Sequence, residues 1–270
     1  MSDGLKGKRI VNTRALAQAQ ALDDLLYAHG AIPFSYPCLR IVPPDDLSPL
    51  DLALRNLAAG QFDWLVLTSA NTVQALRERL DVLGLILAAE SWRTAAIGPA
   101  TAAAAHELLG ISGVTVPGEY LTEALADHLP LEPRARVFLP ASALAEPTLA
   151  GRLTIRGATV CVVEAYQTVC GDGGVDLAES LKQRRIDALT FTSSSAVRCF
   201  VQRLNAGGAS IESPCELCAA RIGPRTAATA RAAGFRQVIV PDEHTLTGLL
   251  QALTDYFSPA RQQETRFNGT

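Results

Sequence analysis

The sequence predicts an α/β protein of two similar lobes, each a mainly parallel sheet flanked by helices, joined by a two-stranded linker. Three observations support this prediction. Short apolar runs alternate with segments of helical spacing, which is typical of parallel sheets covered by helices. One six-residue phrase occurs twice, and the motifs around it recur at a nearly constant offset. The length of 270 residues suits two domains of ordinary size.

The elements of the first half follow from apolar runs and from helical spacing bounded by glycine or proline. Strands are predicted at 9–13, 62–68, 94–97, 114–116, 136–139 and 159–163. Helices are predicted at 15–28, 50–59, 71–80, 99–109, 122–129 and 146–155. Thr122 is the expected cap of the fifth helix. Residues 32–42 are expected to be extended, because their prolines suit an edge strand or a linker.

The second half repeats the same order of elements. Strands are predicted at 186–192, 217–222 and 238–240. Helices are predicted at 176–184, 196–204, 225–233 and 245–256. Residues 259–270 are polar, and we expect them to form a disordered tail.

The repeated phrase reads Ile-Gly-Pro-x-Thr-Ala and spans residues 97–102 and 222–227. Proline suits a first helical turn, and the preceding glycine would let the backbone bend sharply. The first N–H groups of a helix have no intrahelical partner, so such a turn attracts anions. The simpler alternative is an ordinary strand-to-helix turn. Two copies in equivalent contexts favour a binding role.

Further matches show that one ancestral unit was duplicated. Residues 63–73 match residues 187–197 at an offset of 124, and the repeated phrase recurs at an offset of 125. Two stretches, 36–42 and 164–169, are typical of linkers. The interrupted division therefore predicts a first lobe of 1–35 and 170–258 and a second lobe of 43–163. The alternative is two lobes in series, divided near residue 130.

Hydroxyl-rich segments follow the two matching strands. They are Thr68-Ser69-Ala70-Asn71 in one half and Thr192-Ser193-Ser194-Ser195 in the other. Helix capping explains part of each segment, but three successive serines exceed what one cap requires. Together with the repeated phrases, they would present many N–H and O–H donors to a ligand with several carboxylates. Arg14 and Arg225 would add positive charge at the same strand ends, unless both are simply solvated.

Several classes of chemistry are disfavoured by what the sequence lacks. No phosphate-binding loop, dinucleotide fingerprint or G-x-S-x-G elbow occurs. The four histidines are scattered, and the single C-x-x-C, Cys215 to Cys218, has no second pair, so we expect no metal. The net charge of −3 and the pI of about 5.8 disfavour a broad nucleic-acid surface.

Cysteine usage and hydropathy predict a soluble cytoplasmic protein. The six cysteines are not expected to form disulfides, since Cys161, Cys199 and Cys218 lie in apolar runs where thiols behave as buried hydrophobes. The first nine residues do not have the pattern of a signal peptide. No apolar run approaches the roughly 18 residues that span a bilayer.

These motifs together resemble the uroporphyrinogen-III synthase family. The resemblance rests on Thr13-Arg14, on Thr-Ser-x-x-x-Val and Ile-Gly-Pro-x-Thr-Ala in both halves, on Tyr166-Gln167-Thr168, and on Thr245. It covers about residues 8–257. The resemblance implies two α/β lobes joined by a two-stranded linker, with the first lobe built from both chain ends. One departure is Ala15, where many members have proline, which puts the shape of that loop and the contact through Arg14 in doubt.

The resemblance also implies a function in heme and porphyrin biosynthesis. The family is a group of lyases that cyclise hydroxymethylbilane to uroporphyrinogen III, with inversion of ring D, loss of water and no cofactor. Its members hold the substrate in a cleft between the lobes, which is catalysis by orientation and electrostatic fit. By resemblance, Tyr166 would assist departure of the hydroxyl. The residues that match the family's substrate-binding positions are Thr13, Arg14, Ser69, Asn71, Gly98, Thr101, Ser193, Ser194, Gly223 and Thr226.

Two other functions remain open at this point. The chain could be a non-catalytic two-lobe module that closes on an anionic small molecule, or a response-regulator-like pair of domains. The second needs an acidic pocket at strand ends, where hydroxyl clusters lie instead. Tyr166 could also be a linker tyrosine packed on one lobe. We expect a monomer with no membrane or nucleic-acid partner and with possible transient contact with the enzyme that forms hydroxymethylbilane.

Overall fold

A computed structural model describes residues 3–87, 91–208 and 212–258. The chain forms two compact units. Unit 1 comprises residues 1–40 and 169–270, and unit 2 comprises residues 41–168. Each unit contains a five-stranded sheet with helices on both faces. The predicted α/β class with parallel sheets is therefore confirmed, whereas the predicted tail at 259–270 lies outside the described residues.

The elements alternate along the chain as the sequence predicts. The strands are β1 (Arg9–Asn12), β2 (Ile32–Ser35), β3 (Leu39–Val42), β4 (Trp64–Leu67), β5 (Arg93–Ala96), β6 (Arg136–Ser142), β7 (Thr159–Cys170), β8 (Ala188–Phe191), β9 (Cys218–Arg221) and β10 (Gln237–Ile239). The helices are α1 (Leu16–Ala28), α2 (Ser48–Ala58), α3 (Ala70–Leu83), α4 (Pro99–Leu109), α5 (Thr122–His128), α6 (Thr148–Ile155), α7 (Leu177–Lys182), α8 (Ser194–Ala206), α9 (Glu212–Cys215), α10 (Pro224–Ala232) and α11 (Leu246–Tyr256).

The sheet of unit 1 has the strand order β10-β9-β8-β1-β2, and its pairs are parallel. Side chains alternate between two cores, so Val11 and Leu189 pack with α8 on one face while Ile10 and Ala188 pack with α1 and α11 on the other. Chain order reverses between β1 and β8. In parallel sheets such a switch point, at the carboxyl ends of the strands, is where ligands bind.

The sheet of unit 2 has the order β3-β7-β6-β4-β5. Strands β4, β5, β6 and β7 pair in parallel, and chain order reverses between β6 and β4. One face packs against α2, α3 and α4, and the other packs against α5 and α6. The equivalent strands of the two units therefore stand in the same order, with β5-β4-β6-β7 matching β9-β8-β1-β2.

Two equivalent ion pairs hold the amino ends of the central strands. Arg9 Nε lies 2.9 Å from Asp187 Oδ2 in unit 1. Arg136 Nη2 lies 3.3 Å from Asp63 Oδ1 in unit 2. In both pairs the backbone N–H of the arginine also donates to the carboxylate. The duplication seen in the sequence thus extends to a contact that the motif comparison did not identify.

Some predicted elements differ in detail. The expected strand at 114–116 is reduced to a single bridge between Thr115 and Ala95. The expected cap Thr122 lies inside α5, whose cap position is Leu121 and has no side-chain hydrogen bond. Residues 32–42 divide into β2 and β3. Pro33 is tolerated because β2 is at the sheet edge.

The expectation of no disulfide is wrong at one pair. Cys170 and Cys199 are bonded, with their Cα atoms 5.2 Å apart. The reason is that β7 continues to residue 170, well past its predicted end, and brings this thiol beside α8. Cys38, Cys161, Cys215 and Cys218 form no disulfide within the described part of the chain.

Candidate functional site

The two copies of the repeated phrase begin α4 and α10. Each helix has proline in its first turn and glycine at its N-cap. The backbone bends at residues 97–98 and 222–223, between strand and helix, as the sequence predicts, and Gly98 and Gly223 have extended φ values of −166° and −152° there. A Cβ at Gly98 would make ordinary van der Waals contact with the Tyr120 ring, 3.5 Å away, so packing alone does not require glycine there.

Two of the predicted hydroxyls cap matching helices. Ser69 Oγ accepts a hydrogen bond from Thr72 N at 3.0 Å and begins α3. Ser193 Oγ accepts one from Ala196 N at 3.1 Å and begins α8. Both caps lie where β4 and β8 end, at the carboxyl edge of their sheets. Thr101 and Thr226 lie in the first turns of α4 and α10 and are 5% and 7% exposed.

Tyr166 reaches the same edge of unit 2 through an irregularity in β7. The register with β6 shifts there, so Ala141 faces Glu164 but Ser142 faces Tyr166. As a result Ala165 and Tyr166, although consecutive, both join the core beneath α3. The Tyr166 hydroxyl lies 3.2 Å from Ser69 Oγ, within hydrogen-bond distance. The structure therefore brings together two residues that lie 97 positions apart in the chain.

Thr13 and Arg14 follow β1 at the switch point of unit 1. Thr13 is fully buried, and its hydroxyl donates to the carbonyl of Thr190 at 2.5 Å. Arg14 is partly buried, and its Nε donates to the carbonyl of Gln18 at 2.8 Å. Burial lowers the pKa of the Arg14 guanidinium below its ordinary value. Asn71, also predicted, lies in the first turn of α3 with its side chain partly exposed.

Arg221 was not identified from the sequence. It ends β9, directly before the second phrase, and its side chain is fully buried. Nη1 donates to the carbonyl of Ala227 at 2.8 Å, while Nε and Nη2 have no hydrogen-bond partner in the described chain. Burial lowers the pKa of Arg221 to about 10, so the side chain is still charged at neutral pH. Comparing the two repeats would have found it, because the equivalent residue in unit 2 is Ala96.

A pocket of about 470 Å³ lies elsewhere in unit 2, against β7 and the segment before α2. Its lining includes the carboxylates of Asp45, Asp46 and Glu164. Three carboxylates would repel an acidic ligand, so this pocket does not suit the predicted substrate. No group of three or more metal-ligating side chains occurs among the residues with described positions.

A comparison with protein families decides the assignment. The model of the family described as uroporphyrinogen-III synthase HemD matches residues 20–251. The chain belongs to the uroporphyrinogen-III synthase family. Its activity is accordingly that of a lyase that forms uroporphyrinogen III in porphyrin biosynthesis, as the sequence motifs predict.

Similarity to individual uroporphyrinogen-III synthases supports this assignment. The chain is 33% identical over 262 residues to uroporphyrinogen-III synthase of Synechococcus elongatus, covering 93% of this chain and 96% of that protein. A mutant uroporphyrinogen III synthase of Thermus thermophilus has a similar fold, with a TM-score of 0.57, 22% identity, and coverage of 96% and 100%. The synthetase of Helicobacter pylori also has a TM-score of 0.57, at 15% identity and 91% and 97% coverage.

The family assignment is consistent with the parallel sheets and the helix starts described above. Within the described ranges, no helix is long and apolar enough to cross a membrane. The individual roles of the site residues rest on their geometry in this chain.

Proposed function

We propose that the chain catalyses closure of hydroxymethylbilane by holding the substrate against donor-rich helix starts, with Tyr166 as the acid that assists loss of the hydroxyl. The contact between the Tyr166 hydroxyl and Ser69 Oγ is the observation that carries this proposal. It fixes the phenol at the carboxyl edge of the sheet, where ligands of such folds bind.

Ser69 can hold the Tyr166 hydroxyl in place because two contacts with Thr72 fix the position of the Ser69 side chain. Its oxygen accepts the N–H of Thr72 and lies 2.9 Å from the Thr72 hydroxyl. A hydroxyl that already accepts a helix N–H has its proton available for a neighbour, or accepts the phenol proton instead. Either arrangement holds the Tyr166 oxygen in one place. Such positioning is what a proton donor needs before substrate binds.

The proposed step needs no cofactor, because the substrate and Tyr166 together supply the electrons and the proton that it requires. The pyrrole nitrogen pushes electrons toward the hydroxymethyl carbon, the C–O bond breaks, and Tyr166 transfers its proton to the departing oxygen, which leaves as water. The phenolate then regains a proton that the cyclised product releases. Orientation by the helix starts favours the spiro intermediate over direct closure to the symmetric ring.

The other predicted binding residues differ in where they lie and in whether their side chains are already hydrogen-bonded. Ser193, Ser194 and Thr226 lie at the carboxyl edge of unit 1, and Asn71 and Thr101 lie at that of unit 2. Thr13 serves instead to fix the switch point, since its hydroxyl is bonded to a strand carbonyl. Binding between two lobes joined by 36–42 and 164–169, and a cytoplasmic location, stay predictions from the sequence.

The test is the rate of uroporphyrinogen III formation from freshly generated hydroxymethylbilane. Tyr166→Phe should slow turnover roughly tenfold to a hundredfold, since a positioned general acid contributes about that factor or more. Ser69→Ala should slow it less, because the phenol stays but loses its fixed position. The control is Thr154→Ala, which removes an exposed hydrogen bond from the Thr154 hydroxyl to the carbonyl of Ala150 within α6. Its rate should be unchanged. Full turnover by Tyr166→Phe would limit Tyr166 to a packing role.

A further inference from the structure

The chain passes between the two units twice, at residues 40–41 and 168–169. Residues 35–40 lead out of unit 1 and residues 169–175 lead back into it, and we call these segments the outgoing and the returning connection. Both connections belong to unit 1. The contacts that hold them there therefore fix where the chain leaves and re-enters that unit.

The two connections pack backbone against backbone. The N–H of Gly171 donates to the carbonyl of Cys38 at 2.9 Å. The N–H of Val175 donates to the carbonyl of Ser35, also at 2.9 Å. A Cβ at Gly171 would clash with the carbonyl oxygen of Pro37, so the close approach requires glycine. These contacts hold the connections together without a covalent cross-link.

One face of α8 anchors both connections. Cys199 of this helix forms the disulfide with Cys170 of the returning connection. One turn further along, Arg203 donates to the carbonyls of Pro37 and Gly173, one in each connection. Residues four positions apart lie on the same face of a helix. The disulfide and the arginine therefore form a covalent and a non-covalent anchor side by side.

Comparison of the two units shows that the fold does not require the covalent anchor. The repeat offset of 124 places Ala75 of α3 at the position of Cys199. The same offset places Arg79 at the position of Arg203. Arg79 Nη2 donates to Asp51 of α2 at 2.6 Å, so this arginine also anchors a neighbouring segment. Both units keep the arginine, whereas the disulfide is an addition in unit 1.

The two bonded sulfur atoms differ in their access to solvent. Cys170 is partly exposed. Cys199 is only 9% exposed and belongs to the core beneath α8. Thiol–disulfide exchange depends on access of a thiolate to one of the two sulfur atoms. Attack is therefore expected at Cys170, with Cys199 as the leaving group.

We propose that the Cys170–Cys199 pair is a thiol–disulfide exchange site for a dithiol reductant, and that its redox state sets how firmly unit 1 holds the returning connection. One thiolate of the reductant attacks the Cys170 sulfur, and Cys199 leaves as a thiolate that takes up a proton. The second thiol of the reductant then breaks the mixed disulfide and releases Cys170 as a thiol. Two electrons and two protons pass to the protein, and the reductant is left as a disulfide.

This proposal is independent of the tetrapyrrole chemistry. In the oxidised protein, the bond and Arg203 both hold the returning connection on α8. In the reduced protein, Arg203 and the backbone hydrogen bonds of Gly171 and Val175 remain. The connection therefore keeps its place but opens more often, which is local unfolding of low free energy.

The experiment compares amide hydrogen exchange of the native protein before and after treatment with dithiothreitol, a small dithiol. The amides of Gly171 and Val175 should exchange faster after reduction by about tenfold or more, because a disulfide restricts chain opening by at least that factor. Alkylation and mass analysis should find two additional thiols, at Cys170 and Cys199. Oxidised glutathione should then restore both the bond and the slow exchange.

Two variants separate the bond from other effects of the reductant. Cys199→Ala introduces the residue that unit 2 has at this position, and its exchange should be fast with or without dithiothreitol. The control is Cys161→Ala, which removes a thiol of unit 2 outside the disulfide and should keep the wild-type response.

Three results would overturn the proposal. The pair could be reduced only after urea unfolds the protein, which would make it a closed structural bond. Native reduction could leave exchange at Gly171 and Val175 unchanged, or oxidised glutathione could fail to restore the bond. If Cys199→Ala does not fold, the comparison of oxidised and reduced wild-type protein decides.

Discussion

The contact between Ser69 and Tyr166 predicts a measurable coupling in stability. Ser69→Ala removes a helix cap, which costs about 1 kcal/mol, together with the contact to the phenol. Tyr166→Phe removes only the hydroxyl, and a typical net hydrogen bond contributes about 0.5–1.5 kcal/mol. Because both changes delete the same 3.2 Å contact, the double variant should lose less than the sum of the single losses. The expected coupling free energy is about 0.5–1.5 kcal/mol.

Urea unfolding followed by tryptophan fluorescence measures this coupling free energy, because it reports the unfolding of unit 2, in which both residues of the contact lie. Both tryptophans, Trp64 and Trp92, are buried in unit 2, which also contains Ser69 and Tyr166. The signal therefore reports unit 2 even if the two units unfold separately. A second cycle pairs Tyr166→Phe with Thr154→Ala, whose hydroxyl bonds within α6 on the other face of the sheet. That cycle should be additive within about 0.5 kcal/mol. Additive losses in the Ser69 cycle as well would refute the contact.

Three further predictions concern packing and titration. Phe200→Ala should destabilise unit 1 by about 3–5 kcal/mol in urea unfolding followed by circular dichroism, because Phe200 is fully buried among Tyr36, Phe191 and Phe235; a loss below about 1 kcal/mol would contradict this packing. The hydrogen bond from Arg79 lowers the pKa of Asp51, so its stabilisation is present above the unfolded pKa near 4 and is lost as pH falls through the lower folded value. Asp51→Asn should flatten that acid dependence in unfolding midpoints, and an unchanged curve would exclude the pair as a contributor. Burial raises the pKa of Cys38 to about 12, so native protein at pH 8 should leave Cys38 unmodified by iodoacetamide, whereas modification at the rate seen in urea would contradict its burial.

The sequence was informative where local chemistry decides the structure. Proline at residues 99 and 224 begins both predicted helices, and Ser69 and Ser193 cap helices where hydroxyls follow apolar strands. Each of these features depends on a few neighbouring residues. The parallel sheets follow in turn from the alternation of strands and helices.

Features that depend on distant contacts were not predictable in the same way. The register shift that turns Tyr166 toward Ser69 breaks the period of two that a strand prediction assumes. The disulfide of Cys170 requires β7 to extend past its apolar part. Arg221 lies in a strand that otherwise reads Cys-Ala-Ala, and strand periodicity does not predict a buried charge.

The most direct test of the account is the isomer composition of the product. Purified protein is incubated with freshly generated hydroxymethylbilane, the products are oxidised, and the porphyrin isomers are separated by chromatography. The account predicts isomer III, formed faster than spontaneous closure, and a lower rate of isomer III for Tyr166→Phe. Isomer I alone, formed at the spontaneous rate by the wild-type protein, would contradict it.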